Sequence, residues 1–243
     1  MLRIIDARTG KPTDAAHARR SLVRVHARAS GFDTTGLRVL LVADVLVRAL
    51  ELGGTPVWAT LSSGADRAEL RAGAAALGIR PFEDHHDTAA APGEAQTIHV
   101  LAPESSAMEG GATGGVRVEV APVDPGSDPG SVDPGVLRLA LLAHPRDEPV
   151  RLDAATLADA DDTLTRWRGA VAGWATRPSR PVPEDVRQRL RAAWEDDLDV
   201  PGVLGVLRWV ETSDVPEGAR FETYAYADRL LGLELTREIG ASL

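Results

Sequence analysis

Two hydrophobic periods divide this chain. In the first half short alternating or continuous apolar runs are interleaved with longer helical ones; in the second half the helical period persists almost alone. Residues Ser21 to Trp58 read strand, turn, helix, strand. In SLVRVHA, Leu22, Val23 and Val25 fit a strand. GFDTTG is turn chemistry, with Gly31 and Gly36 bracketing Asp33, Thr34 and Thr35. LRVLLVADVLVRALELGG is a mostly apolar helix that stops at Gly53 and Gly54, and TPVWATL is a second short buried strand. A strand that feeds a helix through a glycine-containing turn brings free backbone N–H groups and the positive end of a helix dipole to one point. In an α/β sheet a nucleotide sits at that point, which makes Thr34, Thr35 and Gly36 candidate ligand-binding residues.

Around this stretch, Leu2 to Ile5 fit a short edge strand before a turn at Gly10 to Pro12, and residues 14–20 are polar and Ala-rich. SSGADRAELRAGAAALGI predicts a helix with Ser62 or Ser63 near its N-cap and Gly78 as its stop. RPFEDHHDTAAAPGEAQ reads as a loop, TIHVLAP as a strand, GGATGG as a turn and VRVEVAP as a further strand. Alternating strands and helices predict an α/β sheet over residues 1–132. VDPGSDPGSVDPG, Val123 to Gly135, repeats Asp-Pro-Gly and reads as an exposed linker. Beyond it the pattern is helical. VLRLALLAH is a short helix. A long one starts at Asp153, with Leu157, Leu164, Trp167, Val171 and Trp174 on one face. A third is opened by Pro183 and Glu184, with Val186, Leu190, Ala193 and Trp194 on its apolar face. A fourth follows Pro201, and a fifth carries Tyr224, Leu230 and Leu231. Residues 133–243 are therefore expected to form a helical bundle.

Composition narrows the chemistry. The 243 residues are 44% hydrophobic but only 4% aromatic, so the core is aliphatic. A net charge of −9, with the acidic excess in both halves, argues against nucleic acid, tRNA included, as a partner. The absence of cysteine excludes disulfides, zinc–thiolate sites and a cysteine nucleophile. Lys11 is the only lysine, so lysine chemistry is nearly excluded as well. No apolar run approaches the ~20 residues of a membrane span, and Asp6 interrupts the first apolar run, unlike a signal peptide. The expectation is a soluble, cytoplasmic protein.

Several clusters invite a functional reading. EDHHD, Glu83 to Asp87, gathers imidazoles and carboxylates that suit divalent ions, but adjacent loop residues rarely converge on one ion, and a solvated loop is the simpler reading. His26 in the first strand either hydrogen-bonds a ligand or is a satisfied half-buried side chain. Asp33, Thr34, Thr35 and Gly36 fit a phosphate site through backbone N–H groups and equally fit ordinary helix capping. Asp196, Asp197 and Asp199 form an acidic cluster beside the helix break at Pro201. Trp167, Trp174, Trp194 and Trp209 at helical spacing read as interhelical core, with a groove for a partner as the alternative.

The helical half carries a family resemblance. DPGVLRLALLAHPRDEPVRLDAATLADADDTLTRWRGAV resembles the stretch after the mobile active-site loop of the cysteinyl-tRNA synthetases. It is closer still to that of their relatives, the cysteine:glucosaminyl-inositol ligases of mycothiol biosynthesis. Asp196, Asp197, Leu198, Asp199 and Pro201 match a "DDLDTP.AL" segment, and ADRLLGLEL matches an "LLGL.L" end, near which the mycothiol ligases finish. In the first half, residues 22–58 resemble the first strand, turn, helix and second strand, with Asp44 and Arg48 at the Asp and Arg of "FDVLRR". The resemblance implies a truncated class I synthetase-type Rossmann-like domain followed by an all-α stem bundle.

The same resemblance exposes departures. The zinc cysteine of the family falls near Ala27. The "HIGH" segment that cradles ATP phosphates is replaced by the shorter TTGLRVLLVA, in which Gly36 alone survives. The place of the lysine-bearing "KMSKS" loop is taken by the acidic Asp-Pro-Gly segment. His99 and Glu104 fit the family's "IHGGG" histidine and downstream metal ligand only with deletions; a strand histidine is the simpler reading of His99. These losses imply a chain without catalytic residues for cysteine adenylation and without a bound cofactor, acting as a binding, regulatory or assembly protein toward another protein. The alternative is a small ATP-dependent ligase whose pocket keeps Thr34, Thr35, Gly36 and His26 for a nucleotide or amino acid.

Overall fold

A computed structural model describes residues 1–16, 22–64, 66–84, 96–103, 114–124, 126 and 132–241. The chain forms two compact units: residues 1–124 with 146–150 and 195–198, and residues 125–145 with 151–194 and 199–243.

In the first unit, β1 (Arg3–Asp6) and β2 (Lys11–Asp14) make an antiparallel hairpin. The turn expected at Gly10 to Pro12 is shifted: Gly10 takes the positive φ of 65° while Lys11 and Pro12 already lie in β2. Proline is tolerated there because β2 is an edge strand. Then come β3 (Val23–Ala29), α1 (Thr34–Leu52), β4 (Val57–Ser63), α2 (Arg67–Ala76), β5 (Glu83–Asp84), β6 (Gln96–Leu101) and β7 (Val116–Glu119). The five strands β3 to β7 form one parallel sheet in the order β5-β4-β3-β6-β7. The chain runs outward from β3 through β4 to β5 and returns to β6 on the other side of β3, the doubly wound Rossmann-like arrangement. β3 is central because its Val23, Val25, Ala27 and Ala29 are buried on the side of α1. Helix α1 buries 13 of its 19 residues, as a mostly apolar helix must.

Two local expectations change. Ser62 and Ser63 belong to β4, and α2 opens after Asp66 instead. Part of the expected loop after Arg80 is the two-residue strand β5, too short to carry a period of its own. Of EDHHD, residues 85–87 lie outside the described residues, as do Glu104 and, within the Asp-Pro-Gly segment, residues 125 and 127–131.

The second unit is built from α3 (Pro134–Leu142), α4 (Ala154–Trp174), α5 (Glu184–Glu195), α6 (Val200–Thr212) and α7 (Glu217–Leu231). Asp133, Asp153 and Asp199 each accept an N-terminal amide at α3, α4 and α6, the capping that sets a helix start locally. The core is aromatic at its centre. The Tyr224 ring meets Trp167 and Trp174 edge-on at 5.6 and 5.1 Å, and its hydroxyl donates to the Leu207 carbonyl at 2.9 Å. The buried Arg138 Nε donates to the Leu231 carbonyl at 2.6 Å, and Arg168 Nη2 to that of Leu233 at 2.8 Å. These arginines satisfy carbonyls at the last residue of α7 and just beyond it, where a helix favours cations. The "LR" and "LLGL" segments of the resemblance thus touch each other, and their role is structural. Trp209 departs from the core reading: it is 40% exposed and stacks under the Arg189 guanidinium at 4.6 Å. No helix among the described residues is long and apolar enough to cross a membrane.

Candidate functional site

A Rossmann-like sheet presents its ligand site beyond the carboxyl ends of the strands flanking the switch in order, here β3 and β6. Thr34, Thr35 and Gly36 form the first turn of α1 directly after β3. The amide a phosphate would use is already engaged, since the Gly36 N–H donates to Asp33 Oδ1 at 2.6 Å. A Cβ on Gly36 would lie 2.7 Å from the Gly31 carbonyl oxygen, so glycine serves close contact between helix and turn. The Thr35 hydroxyl accepts from the Val123 N–H at 3.0 Å. The nearby Arg38 is 1% exposed, and its Nη1 donates to the Ala121 and Glu148 carbonyls at 2.8 Å each. Burial lowers its pKa to about 10 despite the opposing fields of Asp147 and Glu148. The Gly36 amide, the Thr35 hydroxyl and the Arg38 guanidinium at this helix start thus each bond to protein, and the carboxylate of Asp33 stands where an anion would.

Asp44 and Arg48, the second pair carried by the resemblance, are also structural. Asp44 is 1% exposed and accepts from Arg48 Nε at 2.8 Å and Arg80 Nε at 3.1 Å. Asp197 adopts φ 54° and binds both Arg146 Nη2, at 2.7 Å through each carboxylate oxygen, and the Ile5 N–H at 2.8 Å. Asp197 thus locks its turn, while Asp199 caps the following helix and Asp196 pairs with Arg3 at the surface.

The remaining polar groups lie on the opposite face of the sheet. Ala29 faces α1, its Cβ 3.6 Å from the position a Gly36 Cβ would take. Alternation then turns Arg24, His26 and Arg28 to the other face. Register extends that polarity across all five strands: Glu83, Thr60, His26, His99 and Arg117 are successive partners on β5, β4, β3, β6 and β7. His26 is 1% exposed and shares a 3.4 Å hydrogen bond with the Thr60 hydroxyl through Nδ1. Its ring lies 5.6 Å from that of His99. His99 Nε2 donates to the Gly114 carbonyl at 3.2 Å, which assigns the proton to Nε2 and leaves Nδ1 as a buried acceptor without a partner among the described residues. Burial, with the fields of Arg28, Arg117 and Arg8, holds its pKa below the usual histidine value against the raising effect of the Gly114 carbonyl. Arg24 stacks on Trp58 at 4.8 Å. The sequence displays Arg24, His26 and Arg28 at alternate positions, but their partnership with Thr60, His99 and Arg117 depends on register and was not legible. A separate cleft of about 280 Å³, lined by Leu40, Leu61, Ile79, Phe82 and Arg80 among others, includes none of Thr34, Thr35, Gly36 or His26.

The zinc of the resembling enzymes does not fit these residues. Ala27 has no donor atom and is buried on the α1 side. Among the described residues no three histidine, aspartate or glutamate side chains gather to hold a metal.

No family model matches the chain. It is 40% identical over 108 residues to the L-cysteine:1D-myo-inositol 2-amino-2-deoxy-alpha-D-glucopyranoside ligase of Streptosporangium roseum, covering 42% of this chain and 26% of that protein. With the ligase of the same name from Streptomyces scabiei it shares 38% over 109 residues, 43% of this chain and 26% of that one. With that of Catenulispora acidiphila it shares 41% over 88 residues, 36% and 20%. The chain is a relative of these ligases. The matched part spans about a quarter of their length. The relationship and the two-part fold agree with what the motifs implied.

Proposed function

We propose that this relative of the cysteine ligases does not activate cysteine and serves as a binding, regulatory or assembly protein, with another protein as its partner. The observation that carries the reading is the start of α1. There the Asp33 carboxylate takes the Gly36 amide at 2.6 Å, and the glycine is in contact with the Gly31 carbonyl. A triphosphate approaching this point meets a like charge, and the Gly36 amide is already taken. The sequence supports the same reading, because it lacks the thiolate for zinc and has an acidic, lysine-free segment where transferring phosphoryl charge needs cations. Neither a cofactor nor tRNA enters this role.

The names of the relatives and the retained sheet order favour a second reading, an ATP-dependent ligase with a remodelled pocket. ATP–pyrophosphate exchange with each amino acid separates the two. The expected result is no exchange above the enzyme-free rate and no rise in melting temperature with millimolar ATP. Exchange with any amino acid overturns the first reading and supports the second.

A further inference from the structure

Protein interiors pack so closely that a void much larger than a water molecule is uncommon. The first unit nevertheless holds a cleft of about 280 Å³ between α1, β4, α2 and the segment that follows α2. Its origin lies in α2. Leu70, Ala74 and Leu77 are the buried positions along RAELRAGAAAL. Leucine fills its space at two of them, and Ala74 leaves room beside Leu40 of α1 and Leu61 of β4. Ile79 and Phe82 complete the apolar wall, and Ala75, which is exposed, lines the cleft at its solvent side. Leu40, Leu61, Ala74, Ile79 and Phe82 are all buried, so the cleft reaches into the core. We propose that it binds a small uncharged apolar molecule, the size of a substituted benzene or a fused pair of rings.

Volume sets the size of the ligand. An apolar cavity of about 150 Å³ accepts benzene, so this larger space admits a second ring or a short branched chain. The walls set its polarity. Arg71 and Arg80 are the two charged residues of the lining, and both face carboxylates. Arg71 Nη2 donates to Asp84 at 2.8 Å and to the Phe82 carbonyl at 3.2 Å. Arg80 donates to Asp44 from Nε at 3.1 Å and to Glu51 from Nη1 at 2.6 Å, and its Nη2 is itself buried, out of a ligand's reach. Asp84 and Asp44 are shared in turn with Arg67 and Arg48. An anion therefore finds guanidinium groups already opposed by carboxylates, and a cation finds those carboxylates already taken. The Ile79 N–H is likewise engaged, by the Ala74 carbonyl at 3.0 Å. An apolar molecule requires none of these groups and gains by leaving water. Neither ATP nor an amino acid is involved, so this binding is independent of whether the chain activates an amino acid.

The test is methyl NMR of the full chain, in which five isoleucines are to be assigned. Indole and indole-3-acetate are titrated separately at constant pH and ionic strength. The expected result is saturable movement of the Ile79 methyl by indole, with a Kd of about 1 mM or below. Ile4 and Ile98, buried outside the cleft, stay in place, and indole-3-acetate binds more weakly. Ala74→Leu adds a side chain of good helix propensity where the cleft lies, and with folding checked by circular dichroism it weakens indole about tenfold or more. Ala75→Leu obstructs the solvent side and serves if Ala74→Leu does not fold. The proposal is overturned if indole leaves Ile79 unmoved or moves all five isoleucines alike. Tighter binding of indole-3-acetate than of indole overturns it too, as does wild-type affinity in the folded leucine variant. Movement of Ile79 on diluting the ligand-free chain assigns the cleft to a second copy and also overturns it. Because the wild-type titration stands alone, a variant that fails to fold does not remove the test.

Discussion

Substituting Gly36 by alanine tests whether the space above the first turn of α1 is closed. In an open helix alanine is better than glycine by about 1 kcal/mol, so an empty phosphate cradle at this position predicts a neutral or stabilised variant. In the structure the added Cβ lies 2.7 Å from the Gly31 carbonyl oxygen, 3.4 Å from Asp33 Oδ1 and 3.6 Å from the Ala29 Cβ. The first of these is backbone and cannot rotate away, so the helix start or the turn must shift by several tenths of an ångström. Overpacking of this kind costs about 1–3 kcal/mol. A shift also weakens the Asp33 cap, whose complete loss is worth about 0.5–2 kcal/mol. Set against the helix-propensity gain, the net expectation is a loss of about 1–3 kcal/mol. For a chain of this size each kcal/mol moves Tm by roughly 2–4 °C. Calorimetry and urea unfolding of Gly36→Ala, with an unchanged urea slope to exclude a change of denatured state, read this directly. A variant as stable as wild type or more stable refutes the closed cradle and with it the main support for a non-adenylating chain.

Asp44→Ala removes a buried carboxylate from between Arg48 and Arg80. Because Arg80 keeps Glu51 at 2.6 Å, the loss falls near 3 kcal/mol, the lower end for breaking a buried pair, measured by urea unfolding. Asp197→Ala and Asp197→Gly both forfeit the Arg146 contact, but only alanine suffers at φ 54°; the glycine variant should be about 1 kcal/mol the more stable, and equal stabilities would refute the left-handed turn. His99 gives a pH dependence. Its folded pKa lies below the unfolded value, so between the two the unfolded chain binds more protons, and stability falls as pH drops below about 6.5. His99→Gln should flatten that part of the stability–pH curve, and an unchanged slope would sink the assignment.

What the sequence alone determined is local. The helix starts at Asp33 and Asp153 were legible because capping is a short-range bond, each carboxylate accepting an amide three residues on. Helix faces were legible because a period of 3.6 needs no partner, and α1 to α7 all fall on predicted helical stretches. The strands around β3 were legible from their branched residues and the interleaved helices, which also carried the α/β class. Tertiary structure decided the rest. β2 and β5 show no period in KPTD or ED and exist because a neighbouring strand supplies their hydrogen bonds. Spacing put Trp209 with the other helical tryptophans, but which helix face lacks a neighbour depends on the whole fold. The cradle reading of Thr34, Thr35 and Gly36 could not be resolved from the turn chemistry, since a free helix start and a capped one share the same residues. The difference is the distance from Gly36 to a carbonyl of the turn. Likewise His26 and His99 are seventy-three residues apart in sequence, and only the parallel register of β3 and β6 makes them neighbours.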